Sequence, residues 1–562
     1  MNAVTHFLPF LRQFSLRSDD LKADLIAGVT VSLVAIPQSL AYAQLAGVPA
    51  YYGLYAALIP TIFGALFGSS RQLSTGPVAM TSLLTAASVA PLAAHGSELF
   101  YSYVILLALL SGIFQIAFGV LRMGVLLNFL SHPVLMGFIN AAAIIIGLSQ
   151  LSPLLGIPAT QSNHFLVDIW RIISHLDSVH ELSFGFGLSA IALLVSFKKF
   201  APKLPGVLIT VVLLTWVSYA VEYAHQGGRV VGAIPQGLPT ISIPPLDWKA
   251  SIALLPASFV IALISFMEAM SSSKVIAIKT RQPWDENKEL IGQGLAKIAA
   301  AFSHSMPVSG SFSRSALNLA SNAKTGLSSI ISAVFVLLTL LFFTAPLYHL
   351  PKPVLAAIIM MAVISLVNFK TVINAWRANK DDGIASIVTF VATLAFAPNI
   401  QNGILTGILL SLALLLYRMM RPSIATLGVH PDSSLRDAQR YGLPAIHPKL
   451  GALRFDGALR FVNVSYFEDA ILKLERERPD VSLILVKCSG MNQLDASGVE
   501  ILSNLVDRFR NNGITLTFSG IKKQVREVMD KTGLTGKIGE ANIFASDQVA
   551  LDELLKRLEQ SA

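Results

Sequence analysis

The chain reads as an α-helical membrane protein of about 14 spans, arranged as two sets of seven with opposite topology and followed by a small cytosolic α/β domain. Three observations carry this fold class. Mean hydropathy is +0.63, with 53% hydrophobic and only 13% charged residues, which is too apolar for a water-soluble globule of 562 residues. Apolar runs of about 20 residues, the length that crosses some 30 Å of hydrocarbon, are spread from Leu25 to Met420. After Met420 the composition changes to that of an ordinary soluble domain. The formal charge of +9 is concentrated upstream of Gly451, while the tail is nearly balanced, so the excess belongs with a membrane and not with a nucleic-acid partner. A single cysteine, Cys488, excludes an internal disulfide framework and any Cys-rich metal site, and neither a metal nor a cofactor is expected.

The N-terminal segment, residues 1–24, lacks the basic, apolar and small-residue succession of a signal peptide, so the first apolar stretch is expected to remain as a membrane helix. The first set of spans occupies 25–222. Its clearest member is YVILLALLSGIFQIAFGVL from Tyr103. A linker rich in Gly and Pro, 223–250, leads to the second set, 251–421, which contains the apolar runs from Ile331 and Ile404. In each set the third segment is short and polar at its start, opening as STGPVAM at Ser74 and as SGSFSRSALN at Ser309. Paired broken segments at matching positions point to a transporter's central site. A half-helix that starts near the midplane aims unpaired N–H groups and a positive dipole end into the cavity, so two of them form an anion receptor.

Orientation follows from Lys and Arg in the short loops. With the N-terminus inside, Arg12, Arg17, Lys22, Arg71, Arg122, Lys198, Lys199, Lys203, Lys274, Lys279, Arg281, Lys288, Lys370, Arg377, Lys380, Arg418 and Arg421 are cytoplasmic. Only Arg171, Arg229, Lys249 and Lys352 fall outside. This predicts an even number of crossings and cytosolic termini.

A second linker, 422–450, precedes the tail, 451–562. From Leu453 the tail alternates strand and helix: LRFDG and LRFVNV as strands, SYFEDAILKLERER as a helix, SLILVKCSG as a strand, a helix from Ser497, ITLTFSG as a strand, then helices KKQVREVMDKTG and DQVALDELLKRLEQ. It carries no phosphate-cradling Gly loop, no HExxH and no Ser-His-Asp spacing, so no enzymatic activity is expected.

Residues Ala50 to Arg71, AYYGLYAALIPTIFGALFGSSR, resemble the signature of the sulfate permease (SulP) family, with Tyr52 to Tyr55, Ala56, Ala57 and Gly68 to Arg71 on its pattern and Phe63 and Gly64 departing from it. AIPQSLAYAQLAGVP from Ala35 is similar to the family's first helix and GSFSRSALN from Gly310 to its tenth. The tail resembles a STAS domain, with Asp495 to Gly498 (DASG) in the place of that fold's Asp-x-Ser-Gly loop. The resemblance implies a 7+7 inverted-repeat fold with core and gate domains, a homodimer, and elevator-like alternating access in the cytoplasmic membrane of a bacterial cell.

Carried onto matching positions, it implies an anion site built from Gln38, Tyr42, Val78, Ala79, Ser313 and Arg314. Gln38 and Tyr42, four apart, share a helical face and offer an amide and a phenol, although packing beside Pro37 would also explain them. Val78 and Ala79 would contribute backbone N–H groups. Arg314 is the only basic residue at the second half-helix start, and an Arg at membrane depth must line a cavity or pair. Glu268, in ALISFMEAMSSSK, is the only carboxylate well inside an apolar segment of the second set, with Ser272 four residues on. A buried carboxylate can carry a proton through a transport cycle, whereas a Glu at a helix end would pair with Lys274 or Arg314. Sulfate symporters of the family have Glu at this helix, while its sodium-coupled bicarbonate transporters have Asp followed by Thr. In the tail, Ser497 follows Asp495 at a helix start, which suits capping, and also suits phosphorylation as in related anti-sigma-factor antagonists.

The function expected from these readings is proton-coupled symport of a small oxyanion, sulfate foremost, by a secondary active transporter with a regulatory STAS tail that binds a cytosolic partner. Bicarbonate and C4-dicarboxylate transport keep the same fold. A membrane-tethered STAS signalling protein is the reading from another class.

Overall fold

A computed structural model of the chain describes residues 17–560 apart from 125–130, 158–164, 203 and 365. Arg12 and Lys203, two of the cations assigned to the cytoplasmic side, lie outside the described residues. The chain divides into two compact units at Ser411 and Leu412.

The first unit opens with helices α1 (Ser18–Leu45), α2 (Ala50–Ala56) and α3 (Ile59–Phe67), followed by a three-residue strand β1 (Ser74–Gly76) that runs into the short helix α4 (Ala79–Val89). Helices α5 (Glu98–Val120), α6 (His132–Ser149), α7 (Leu151–Leu155), α8 (Phe165–Ser174), α9 (Glu181–Phe200) and α10 (Gly206–Ala220) follow. Beyond the Gly- and Pro-rich linker come α11 (Trp248–Thr280) and α12 (Glu286–Phe302), then a second three-residue strand β2 (Ser309–Ser311) running into the short helix α13 (Phe312–Ala320). The unit continues with α14 (Leu327–Phe342), α15 (Thr344–Tyr348), α16 (Lys352–Ile364), α17 (Phe369–Ala378) and α18 (Lys380–Phe396), and the division falls within α19 (Gln401–Met420). Among the described residues eight helical stretches are long and apolar enough to cross a membrane, and α4, α10 and α14 are shorter apolar helices.

Local chemistry sets where these helices begin. Asp247 caps α11 by accepting from the N–H groups of Lys249 and Ala250, Asp285 caps α12 through Asn287 and Lys288, and Ser97 caps α5 through Phe100. The two strands occur where Gly and Pro interrupt helical sequence. They pair antiparallel, with Ser74 opposite Ser311, Thr75 opposite Gly310 and Gly76 opposite Ser309, so the third segments of the two sets meet.

Helices α5 and α12 approach until their backbones touch. A Cβ on Gly112 would lie 2.9 Å from the Gly294 carbonyl oxygen, and one on Gly294 would lie 2.8 Å from that of Gly112. Small residues at such crossings exchange side-chain volume for close van der Waals packing. The Gly68-Ser69-Ser70-Arg71 motif wraps the start of α12. The fully buried Glu289 accepts from the N–H groups of Ser69 and Ser70 at 2.9 and 2.8 Å, and Ser69 Oγ accepts from the N–H of Asp285.

The second unit is a six-stranded sheet of order β4-β3-β5-β6-β7-β8, formed by β3 (Ser423–Val429), β4 (Leu435–Asp437), β5 (Leu450–Asp456), β6 (Leu483–Lys487), β7 (Thr515–Ser519) and β8 (Ile543–Phe544). Strands β5 to β8 are parallel, and β3 runs antiparallel to both β4 and β5. Alternation along β6 places Ile484 and Val486 in one core with Phe455, Phe467, Phe509 and Phe518, and Leu483 and Leu485 in the other with Leu554 and Leu558 of the last helix. The helices expected from the sequence form at Val464–Glu477, Ala496–Asn511, Lys523–Lys531 and Asp547–Gln560.

One expected strand is absent. LRFVNV, residues 459–464, is a turn, because the Asn463 side chain accepts from the N–H of Arg460 and donates to the Ala458 carbonyl, folding the chain back before the helix at Val464. Strands β3 and β4 lie upstream of where the sequence placed the first strand.

Two expectations follow. Gly294→Val would force α12 away from α5 and lower stability by about 1–3 kcal/mol, read as an earlier melt by size exclusion in detergent. Cys488 is 1% exposed at the end of β6, and burial pushes its thiol up to about 12, so a water-soluble maleimide at neutral pH is expected to label it only after the tail unfolds.

Candidate functional site

The strand pair is held on every side by polar contacts, as backbone without a helix at membrane depth requires. Thr61 Oγ1 donates to the Thr75 carbonyl at 2.8 Å, the N–H of Ser74 donates to Ser315 Oγ at 2.9 Å, and Asn318 Nδ2 donates to the Gln72 carbonyl at 3.0 Å. From this frame α4 and α13 begin. Val78 is the N-cap of α4 in extended conformation and Ala79 its first residue, with no side chain capping the turn. The first N–H groups of a helix have no partner within it, so those of α4 are free for a ligand. At the other end of the pair, Ser311 Oγ accepts from the N–H of Arg314.

Arg314 is 2% exposed and reaches from α13 across the strand pair to the start of α4. Its Nη1 donates to the Pro77 carbonyl at 2.9 Å and its Nε to Ser74 Oγ at 3.4 Å, while Nη2 is buried without an acceptor. Gly76 permits this, since a Cβ there would lie 3.0 Å from Nη2. A guanidinium N–H withheld from water and left unsatisfied is costly, and an oxyanion is the ligand that satisfies it.

Tyr42 is buried on α1 within Coulomb range of both Arg314 and Glu268. Glu268 lies twenty residues into α11, half-buried, beside Ser309 of β2 and with its carboxylate Oε2 unpaired. It therefore sits inside the span and not at a helix end. Ser272, one turn on, is buried with its hydroxyl unpaired. Gln38, one turn before Tyr42, has an unpaired buried Oε1 and lines a cavity of about 280 Å³ together with Leu194, Phe197, Val207, Ile358 and Met361. The cavity reaches Gln38 and does not extend to Arg314 or Glu268. Ser313 is exposed, with its hydroxyl 3.4 Å from that of Ser311.

The structure thus gathers Tyr42, Arg314, Glu268 and the start of α4, and puts Gln38 and Ser313 at the margins. It adds residues that sequence reasoning missed. Lys297 of α12 is fully buried and donates to Ser265 Oγ at 2.6 Å and to Gln115 Oε1. The Ser265 carbonyl accepts from Ser309 Oγ at 2.9 Å. Glu289, Gln293 and Lys297 recur every four residues on α12, and Gln293 donates to both Glu289 and Thr75 Oγ1. A polar residue every fourth position, continued from the polar first turn into the small and apolar remainder of α12, is the signal that finds them.

The model of the sulfate permease family matches residues 21–389, and that of the STAS domain matches 444–550. The chain belongs to the sulfate permease family. As a member it is a multi-pass membrane transporter of anions that carries a STAS domain. Its curated relatives include a chloroplastic sulfate transporter 4.1 of Arabidopsis thaliana, 34% identical over 97% of this chain and 82% of that protein, and a probable sulfate transporter of Mycobacterium tuberculosis, 31% identical over 96% of each. Among solved structures, SLC26A9 superposes over the whole chain and 94% of its own with a TM-score of 0.89 at 21% identity, and the transmembrane domain of the cyanobacterial bicarbonate transporter BicA over 70% of this chain with 0.60 at 24%. These two share the fold. The family's signature loop, Gly68 to Arg71, is the loop that seats Glu289.

Arg314→Ala is expected to weaken anion binding by the folded protein about tenfold or more, and Arg314→Lys to restore part of it, since a point charge lacks the planar fork. Isothermal titration in detergent measures both.

Proposed function

We propose that the protein is a proton-coupled symporter of sulfate. The observation that carries this reading is the unpaired Nη2 of a buried Arg314, set between two helix starts with Glu268 close by. The N–H groups of Val78 and Ala79, the Arg314 guanidinium and the Tyr42 phenol hold the anion, with Gln38 and Ser313 at its margins. Glu268 carries the proton. Two negative groups in one cavity repel, so Glu268 takes up its proton before a dianion enters and releases it on the cytoplasmic side. Sulfate as the substrate is supported by the names of relatives at 31 and 34% identity.

In this reading the chain crosses the cytoplasmic membrane 14 times in two repeats, 25–222 and 251–421, as a homodimer with both termini in the cytosol. The STAS domain, 451–562, regulates transport through a cytosolic partner. Ser497, at the second position of a helix capped by Asp495 through the N–H of Gly498, is its phosphorylation site.

In proteoliposomes, uptake of labelled sulfate is expected to rise as the outside is acidified, to ignore sodium, and to collapse with a protonophore. Glu268→Gln, which mimics the protonated form, keeps sulfate binding and sulfate exchange but loses accumulation against a gradient. Sodium-dependent uptake with a flat pH response would refute the coupling.

A further inference from the structure

Lys297 is a buried cation that neither family signature nor anion contact accounts for. It is 0% exposed, and both acceptors of its Nζ, Gln115 Oε1 and Ser265 Oγ, are neutral. A charge withdrawn from water and solvated only by neutral dipoles is expensive unless another charge answers it. The answering charge is Glu268. Ser265, which accepts from Lys297, and Glu268 lie three residues apart on one face of α11, and Ser309, which donates to the Ser265 carbonyl, lies beside Glu268, so Lys297 and Glu268 belong to one polar cluster. Among the described residues, the other charged or titratable groups facing this cluster are Arg314 from α13 and Tyr42 from α1; α5 contributes the Gln115 amide and β2 the Ser309 hydroxyl. Among the described residues the fully buried carboxylates, Asp24 and Glu289, sit in the first two turns of their helices and each accept from two backbone N–H groups.

We infer that Lys297 sets the valence of the transported anion. The charges at the site are Arg314, Lys297 and Glu268. With Glu268 protonated they sum to +2, which a dianion cancels; with Glu268 ionised they sum to +1, which a monoanion cancels. A neutral loaded site is the one that crosses a low-dielectric barrier at least cost. The helix starts of α4 and α13 add the same partial charge to every state and leave the differences unchanged. Lys297 therefore makes one dianion with one proton, or one monoanion with none, the neutral cargo. Without it, the protonated site sums to +1 and suits a monoanion. This inference rests on Glu268 as the proton carrier.

The test is uptake by the full-length protein in proteoliposomes of labelled sulfate and labelled nitrate, with proton entry followed by a trapped pH dye. Wild type brings in a proton with sulfate. Lys297→Gln keeps the hydrogen-bonding side chain and removes the charge, and is expected to lower the sulfate-to-nitrate uptake ratio about tenfold. Lys297→Arg should keep the wild-type ratio within about threefold. Gln115→Glu, isosteric and adjacent to Nζ, neutralises the lysine without removing it and should shift the ratio in the same direction, which covers the case that Lys297→Gln does not fold. An unchanged ratio in the folded neutralised variants, or equal loss of both anions, overturns the inference and leaves Lys297 a structural residue. If the ratio shifts but wild type moves no proton with sulfate, the proton reading of Glu268 fails while the charge role of Lys297 stands.

Discussion

Where the chain passes Gly76 and Ser309 it lies deep in an apolar unit without the hydrogen bonds of a helix, and each of those broken stretches supplies the backbone partners of the other. Water is not there to do it. Everything at the site hangs on this exchange. It fixes where α4 and α13 begin, it lets Arg314 of one half reach the Pro77 carbonyl of the other, and it sets Ser309 beside both Ser265 and Glu268. A continuous helix in either half would satisfy its own backbone and leave no N–H for an anion.

The broken segments were legible from sequence because Gly and Pro interrupt helical periodicity at Ser74 and Ser309, and Arg314 and Glu268 because charge is rare inside apolar runs. Their register was not, since pairing between segments so far apart in the chain is a tertiary fact. Lys297 is hard to find in the sequence because most Lys and Arg of a membrane protein stand in loops, and a cation within a helix that also contains Glu and Gln looks like part of a polar end. Glu289 escaped for the same reason, although its partners, Ser69 and Ser70, stand in the most recognisable motif of the chain.

In the tail, alternation was a good guide where both faces of the sheet are covered and a poor one where a side chain redirects the backbone. LRFVNV has the composition of a strand, but Asn463 bonds locally and converts it to a turn. The helix from Ala496 begins under Asp495, whose second oxygen also accepts from the N–H of Phe461, so the aspartate of the DASG loop joins two connections and Ser497 is free of capping duty.

The strand exchange between the halves also bears on biosynthesis. Ser74 and its partner Ser315 are 241 residues apart. At about 5–20 residues per second a ribosome needs roughly 12–50 s to make that stretch. For that interval the first half carries a polar strand that has no mate. A polar strand left unpaired in lipid is costly, so the first half is completed only when the second half has emerged to pair with it.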